Sequence, residues 1–305
     1  MKNIIDLHIH TNYSDGNLSP KQVIDKALKN GITLISITDH DTIDAYNDEL
    51  YNYAKSKNIT IINGIEISTY VDKIGFHILG YGFDINNKEL KEKLIEIRNY
   101  RYAYLEDVSC KLNELGYFIN TGKLSKNKIV TKSHIAIDII NNIKNEALLL
   151  KHFNHIPNIG EFIEGMLNEE CPAFVKKKTI TPGEAVELIK RAGGIAILAH
   201  PVAYKYEDNI EDTEIINLIN EIKVDGIETY YIYIDREGNK INEIDNWNEI
   251  AKSNNLMVTI GSDFHKKDGI HPDIGLINED VHLDKNTLDN IISKLISIRN
   301  NKEEI

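Results

Sequence analysis

Residues 6–16 read DLHIHTNYSDG. His8 and His10 flank Ile9, so in a β-strand both imidazoles leave the same face, because side chains alternate across the pleat. Asp15 follows five residues after His10. Two imidazoles on one face at a strand end are either a metal grip or a coincidence. The rest of the chain decides which.

Six further β-rich runs follow: ITLISITDH (32–40), ITIINGIEIS (59–68), GFHILGYGF (75–83), GIAILAH (194–200), DGIETYY (225–231) and LMVTIGSDFH (256–265). With the first they make seven strand candidates, mostly separated by helical stretches, which predicts parallel βα units. Two of those helices are clearly punctuated. SPKQVIDKALKNG (19–31) has Ser19 as N-cap, Pro20 at the first helical position and Gly31 past its end. TPGEAVELIKRAGG (181–194) pairs Thr181 with Glu184 in a capping box. His8 and His10, His40, Glu66, His200, Glu228, and Asp263 with His265 lie at or just past the C-terminal end of their runs. In (β/α) barrels the strand C-termini converge on the face that carries the active site. His77 alone sits near the start of its run, so that strand is expected to run antiparallel or to enter the site differently.

Residues 88–176 break the rhythm with KELKEKLIEIRNYRYAYLEDVSCKLNELG, SHIAIDIINN, NEALLLKHF and IGEFIEGML, all helical in pattern. The expected fold is therefore α/β, a seven-stranded (β/α) barrel formed by residues 1–87 and 177–305, with residues 88–176 as an inserted all-helical domain capping the site.

The chain has 305 residues, 42% hydrophobic and 27% charged, ample for a sizeable core. Its start, MKNIIDLHIHTNYSDG, has no signal-peptide h-region, and no apolar run approaches the roughly 20 residues of a membrane span. Two cysteines, Cys110 and Cys171, are too few for a disulfide framework, so a reduced, cytoplasmic protein is expected. A net charge of −12 argues against broad binding of duplex DNA, which rests on many phosphate contacts. It leaves room for a small phosphorylated substrate or a short single strand held at one local positive site, and bound cations are one way to make such a site.

Nine residues now gather: His8, His10, Asp15, His40, Glu66, His77, His200, Asp263 and His265. Any one histidine on an apolar face is more often a satisfied core residue than a ligand. Together, imidazole and carboxylate without thiolate suit Mn, Zn or Fe, and nine groups exceed what one ion needs. Two or three metals are implied.

The runs DLHIHTNYSDG, GITLISITDHDTIDAY, GIEIS, HILGYGFD, AILAHPVAY and IGSDFH, in this order, resemble the motifs of the PHP (polymerase and histidinol phosphatase) superfamily. They look most like its stand-alone metal-dependent phosphoesterases, a branch with nucleoside 3′,5′-bisphosphate phosphatases and 5′-to-3′ exoribonucleases. The resemblance spans nearly the whole chain. It implies a distorted seven-stranded barrel and three divalent ions, Mn first, with Zn, Fe or Mg as alternatives. Carried over, it places one ion between His8, His10, Glu66 and Asp263. A second takes Glu66 as a bridge with His77 and His200, and a third takes Asp15, His40 and His265. Three such ions bring six positive charges, of which three carboxylates and a metal-bridging hydroxide remove four, leaving about +2 to attract a phosphate dianion. Asp39 and Asp41, flanking His40, are candidates to orient imidazoles, or simply cap a turn.

Within the helical stretch, Arg98 and Arg101 share a helix face. The family branch has a similar arginine pair, and an Arg-Pro-His segment where this chain reads Lys132, Ser133 and His134. Lysine keeps the charge and loses the bidentate fork. Arg98, Arg101, Lys132 and His134 are the candidate contacts to a substrate's second phosphate; for the arginines a solvated helix face is the alternative. The KKK run at 176–178 reads as a solvated loop, and His152, His155 and His271 as surface or core residues.

The expected function is hydrolysis of a phosphate monoester on a small nucleotide, a 3′,5′-bisphosphate first. The alternatives are exonucleolytic release from the 5′ end of short RNA, histidinol-phosphate phosphatase, a metal-assisted amidohydrolase, and a non-enzymatic metal-stabilised interaction module. No duplex DNA and no membrane are expected as partners. The complete ligand set speaks against the non-enzymatic reading.

Overall fold

All seven expected runs form strands of one sheet in a computed structural model that describes residues 4–71, 74–125, 129–176, 178–235 and 237–303. They are β1 (Ile5–Ile9), β2 (Leu34–Ile37), β3 (Thr60–Val71), β4 (Ile74–Tyr81), β5 (Ile195–Leu198), β6 (Gly226–Tyr230) and β9 (Met257–Ile260), side by side in that order. β4 runs antiparallel to both β3 and β5, and the other pairs are parallel. The strand of His77 is thus the reversed one, as its position at the start of its run suggested. A parallel bridge joins Ile9 to Phe264, and the His10 N–H donates to the Phe264 carbonyl at 2.9 Å. Two short strands, β7 (Tyr233–Ile234) and β8 (Lys240–Ile241), form a separate ribbon. At two residues each they are too short to carry a period-2 signal.

Two units divide the chain: one takes it up to Glu92 and again from Ile180, and the other is Lys93–Thr179. In the first, Ile5, Leu7, Leu34, Ile62, Leu79, Tyr81, Ile197 and Ile260 share one apolar cluster. The period of two then sends Asp6, His8 and His10 to the other face of β1. Helix α1 (Pro20–Asn30) starts from a capping box of Ser19 with Gln22 and ends at Gly31 with φ of 80°, a left-handed stop that suits glycine. Helix α2 is Asp48–Ser56. The second unit holds most of α3 (Lys88–Glu114), then α4 (Thr121–Leu124), α5 (Lys132–Ile140), α6 (Glu146–Phe153) and α7 (Ile159–Phe162), around Leu105, Val108, Leu112, Ile135, Leu149 and Phe162. The first unit resumes with α8 (Pro182–Arg191), begun by the Thr181–Glu184 capping box, α9 (Pro201–Glu207), α10 (Asp212–Ile222), α11 (Ile244–Ser253) and α12 (Lys285–Glu303). No helix among the described residues is long and apolar enough to cross a membrane.

Tyr46 braces the strands that deliver two site residues. Its buried phenol accepts from Gly64 N–H (2.7 Å) and Ile37 N–H (3.1 Å) and donates to the Ile37 carbonyl (2.6 Å). Buried N–H groups deprived of an acceptor cost about 1–3 kcal/mol each. Tyr46→Phe should therefore lower stability by about 2–3 kcal/mol, read as a lower urea midpoint at unchanged m-value.

Candidate active site

β1 delivers His8 and, just past its end, His10; His40 follows β2, and Glu66 lies within β3. His77 comes from β4, His200 from just beyond β5, and Asp263 and His265 from just beyond β9. All nine expected residues meet here. His8 Nε2 lies 3.1 Å from His10 Nε2, and Asp263 Oδ1 is 3.3 and 3.1 Å from those two nitrogens. Glu66 completes the group, with Oε1 3.5 Å from His8 Nε2 and Oε2 3.2 Å from His10 Nε2. A second group forms around Glu66 Oε1, with His77 Nδ1 at 3.0 Å, His200 Nε2 at 3.2 Å, and 3.3 Å between those two nitrogens. The third is looser: Asp15 stands 3.3 Å from His265 Nε2 and 3.8 Å from both His40 Nε2 and His10 Nδ1. His40, expected with Asp15 and His265 only, also turns Nδ1 to within 3.0 Å of Glu66 Oε2.

These distances fit metal binding. Atoms bound at about 2.0–2.2 Å to one ion lie about 2.8–3.6 Å apart in tetrahedral or octahedral geometry. Asp15 Oδ1, Glu66 Oε2 and His200 Nδ1 are buried without a well-aligned hydrogen-bond donor or acceptor. Among the described residues, every ion pair seen at Asp15, Glu66 and Asp263 is to a histidine, with no lysine or arginine. Buried carboxylates without a fixed cation call for another positive charge. The field has that sign of demand. Burial pulls the His8 pKa down, yet Glu228, Asp263 and Glu66 outweigh it and hold it well above the usual value. His10 is pushed up to about 10: burial opposes, but Asp263 and Glu66 prevail. Burial raises Glu66 and Asp263 too, but the surrounding imidazoles hold both below the ordinary carboxylate range.

His200 (φ 26°) and Asp263 (φ 51°) occupy backbone regions that non-glycine residues rarely adopt, as does Asp41 (φ 50°). Strain of about 1–3 kcal/mol per residue persists only where surrounding contacts over-determine it. At Asp263 the brace is Asp6, a residue outside the expected site. It accepts from Ser262 N–H at 3.1 Å and Ser262 Oγ–H at 2.6 Å.

Glu228, seen in the sequence only as a strand-end carboxylate, is in direct contact with the cluster: its oxygens lie 3.0 and 3.1 Å from His8 Nδ1. The role expected of Asp39 and Asp41 is filled differently. Asp39 accepts from Thr11 N–H (2.7 Å), Thr11 Oγ–H and Ser14 Oγ–H (both 2.6 Å), bracing the loop that carries Asp15. Ser14 Oγ in turn stands 3.4 Å from His10 Nδ1. Asp41 accepts from the Ser68 N–H at 2.8 Å.

Within the helical unit, Arg101 donates to the Val130 carbonyl at 3.0 Å, and Lys132 donates to Asn168 Oδ1 at 2.7 Å. His134 completes the capping box that starts α5, its Nδ1 accepting from Thr131 N–H at 3.2 Å. His152, His155 and His271 pair with Tyr117, Glu161 and Asp268, outside the cluster. Of the lysine run, Lys178 lies over the Tyr100 ring and Lys177 falls outside the described residues.

Known proteins resemble this arrangement over most of the chain. A family model described as the PHP domain matches residues 6–260. A 5′-3′ exoribonuclease of Haemophilus influenzae is 31% identical across 85% of this chain and 89% of its own length. A 3′,5′-nucleoside bisphosphate phosphatase of Chromobacterium violaceum is 26% identical across 86% and 87%. In fold, a provisionally assigned metal-dependent phosphoesterase of Bifidobacterium adolescentis superposes with a TM-score of 0.74 at 20% identity, covering 95% of each chain.

Proposed function

Because the chain belongs to the PHP domain family, we propose that its metal-dependent phosphoesterase chemistry acts on a small nucleotide, a nucleoside 3′,5′-bisphosphate first. The observation that carries this is the convergence of six imidazoles and three carboxylates in one largely buried cluster, with several sets sized for a divalent ion. His8, His10, Glu66 and Asp263 would hold one ion, Glu66 with His77 and His200 a second, and Asp15 with His40 and His265 a third. Such ions, when bound, polarise a phosphoryl group and make water a nucleophile at neutral pH. The residues' own task is to fix geometry: rigid strand ends and braced loops hold every group before substrate arrives. The barrel reading is supported by the Ile9–Phe264 bridge, which links β1 to the segment after β9. A cytoplasmic location is supported by the two free thiols.

Release of nucleotides from the 5′ end of short RNA needs the same chemistry, and the relative at 31% identity carries that activity in its name. A side-by-side assay separates the readings. Mn-reconstituted protein is offered adenosine 3′,5′-bisphosphate, 5′-AMP, histidinol phosphate and a 5′-phosphorylated oligoribonucleotide. The highest kcat/KM is expected on the bisphosphate; a higher value on the oligonucleotide makes the chain an exonuclease instead.

The same assay tests Arg98, Arg101, Lys132 and His134, proposed to recognise the second phosphate. A charge-assisted contact contributes roughly 1.5–3 kcal/mol. Arg101→Ala or Lys132→Ala should then cost about 10- to 100-fold in kcat/KM on the bisphosphate and much less on 5′-AMP. Equal losses on both substrates would remove these residues from substrate selection.

A further inference from the structure

We infer that Glu228 is a positioning residue that fixes which nitrogen of His8 faces the cluster and ties the His8 and His200 positions to one carboxylate. The inference rests on the metal reading above. Glu228 lies within β6 and is 1% exposed. Its two oxygens stand 3.0 and 3.1 Å from His8 Nδ1, and Oε2 also accepts from the His200 N–H at 3.0 Å. In the neutral form that binds metal, an imidazole that donates through Nδ1 keeps its lone pair on Nε2. That lone pair points where His10 Nε2, Asp263 Oδ1 and Glu66 Oε1 converge at 3.1, 3.3 and 3.5 Å.

The second contact acts on backbone. His200 sits at φ 26° and ψ 59°, just before Pro201, where sterics favour extended conformations. The bond from its N–H to Glu228 helps hold that conformation and with it the ring, whose Nε2 belongs to the Glu66–His77 group. One carboxylate thus braces ligands of two neighbouring sets.

Gly261 is an independent sign that the fold makes room for this contact. A Cβ built there would lie 2.2 Å from His8 Cβ and 2.3 Å from Glu228 Oε1. Any side chain at 261 pushes the carboxylate and the imidazole out of register.

The test is Mn titration of the wild type and Glu228→Gln by competition with a chelator, beside metal-free melting curves. Glutamine keeps the shape but offers one acceptor oxygen where the carboxylate offers two. Mn affinity should fall about 10- to 100-fold, the usual cost of losing such a partner, with metal-free melting close to wild type. A purely structural role would lower melting and leave Mn affinity unchanged; that result overturns the inference. Long-range ¹H–¹⁵N spectra of the Zn-loaded wild type need no variant: His8 should carry its proton on Nδ1, and a proton on Nε2 overturns the inference as well. A wild type that binds no Mn removes the metal reading itself, an outcome distinct from unchanged affinity in the variant.

Discussion

Glu66→Ala lowers phosphate release by about 1,000-fold or more while the chain stays folded. Glu66 occupies the centre of the cluster: its oxygens face His8, His10, His40, His77 and His200 within 3.0–3.5 Å. It touches histidines of all three sets, whereas Asp263 and Asp15 each touch those of two. Its loss disorders two ion positions at once, and one well-held ion stabilises a phosphoryl transition state by several kcal/mol. At about 1.4 kcal/mol per tenfold change, the expected loss exceeds that of any single imidazole. Folding should survive, because the substitution removes a buried carboxylate rather than apolar packing. Turnover at saturating Mn, with circular dichroism as the control for fold, decides it. A loss under tenfold would place the reacting centre elsewhere.

The second large effect comes from removing metal. Activity should fall to background after chelation and return with Mn, because three carboxylates and six imidazoles then lose the cations they are proposed to hold. Stability should follow. A ligand that binds only the folded state adds roughly 2.7 kcal/mol per site when free ligand is one hundred times its Kd. On a scale of about 2 °C per kcal/mol for a large domain, each ion raises the melting temperature by about 5 °C. Restoring Mn after chelation should therefore shift melting upward by more than a single site accounts for. An unchanged melting temperature with full activity in chelator would contradict the metal reading.

The seven strands and nine candidate ligands were legible because each signal is local. A strand end, an alternating pattern and an imidazole or carboxylate lie within ten residues of one another. Glu228 shows where that legibility stops. It sits 220 positions from His8 and five places away in the strand order; the bridge from Ile9 to Phe264, in the segment that follows β6's neighbour β9, links the two ends of that order. Asp39 and Asp41 show the converse. They flank His40 in sequence, yet Asp39 accepts from the Thr11–Ser14 loop and Asp41, on left-handed backbone, from the Ser68 N–H of β3. Asp6 escaped notice for the same reason, since the Ser262 it braces is 256 positions away. The strain at His200 and Asp263 has no sequence signal at all, because neither residue type demands positive φ.

The central claim is that this cluster holds several divalent ions. Elemental analysis of protein purified without chelator, reconstituted with Mn and freed of excess ion, measures it directly. The expected result is more than one ion per chain, approaching three at saturation; a stoichiometry of one or below after reconstitution would contradict it.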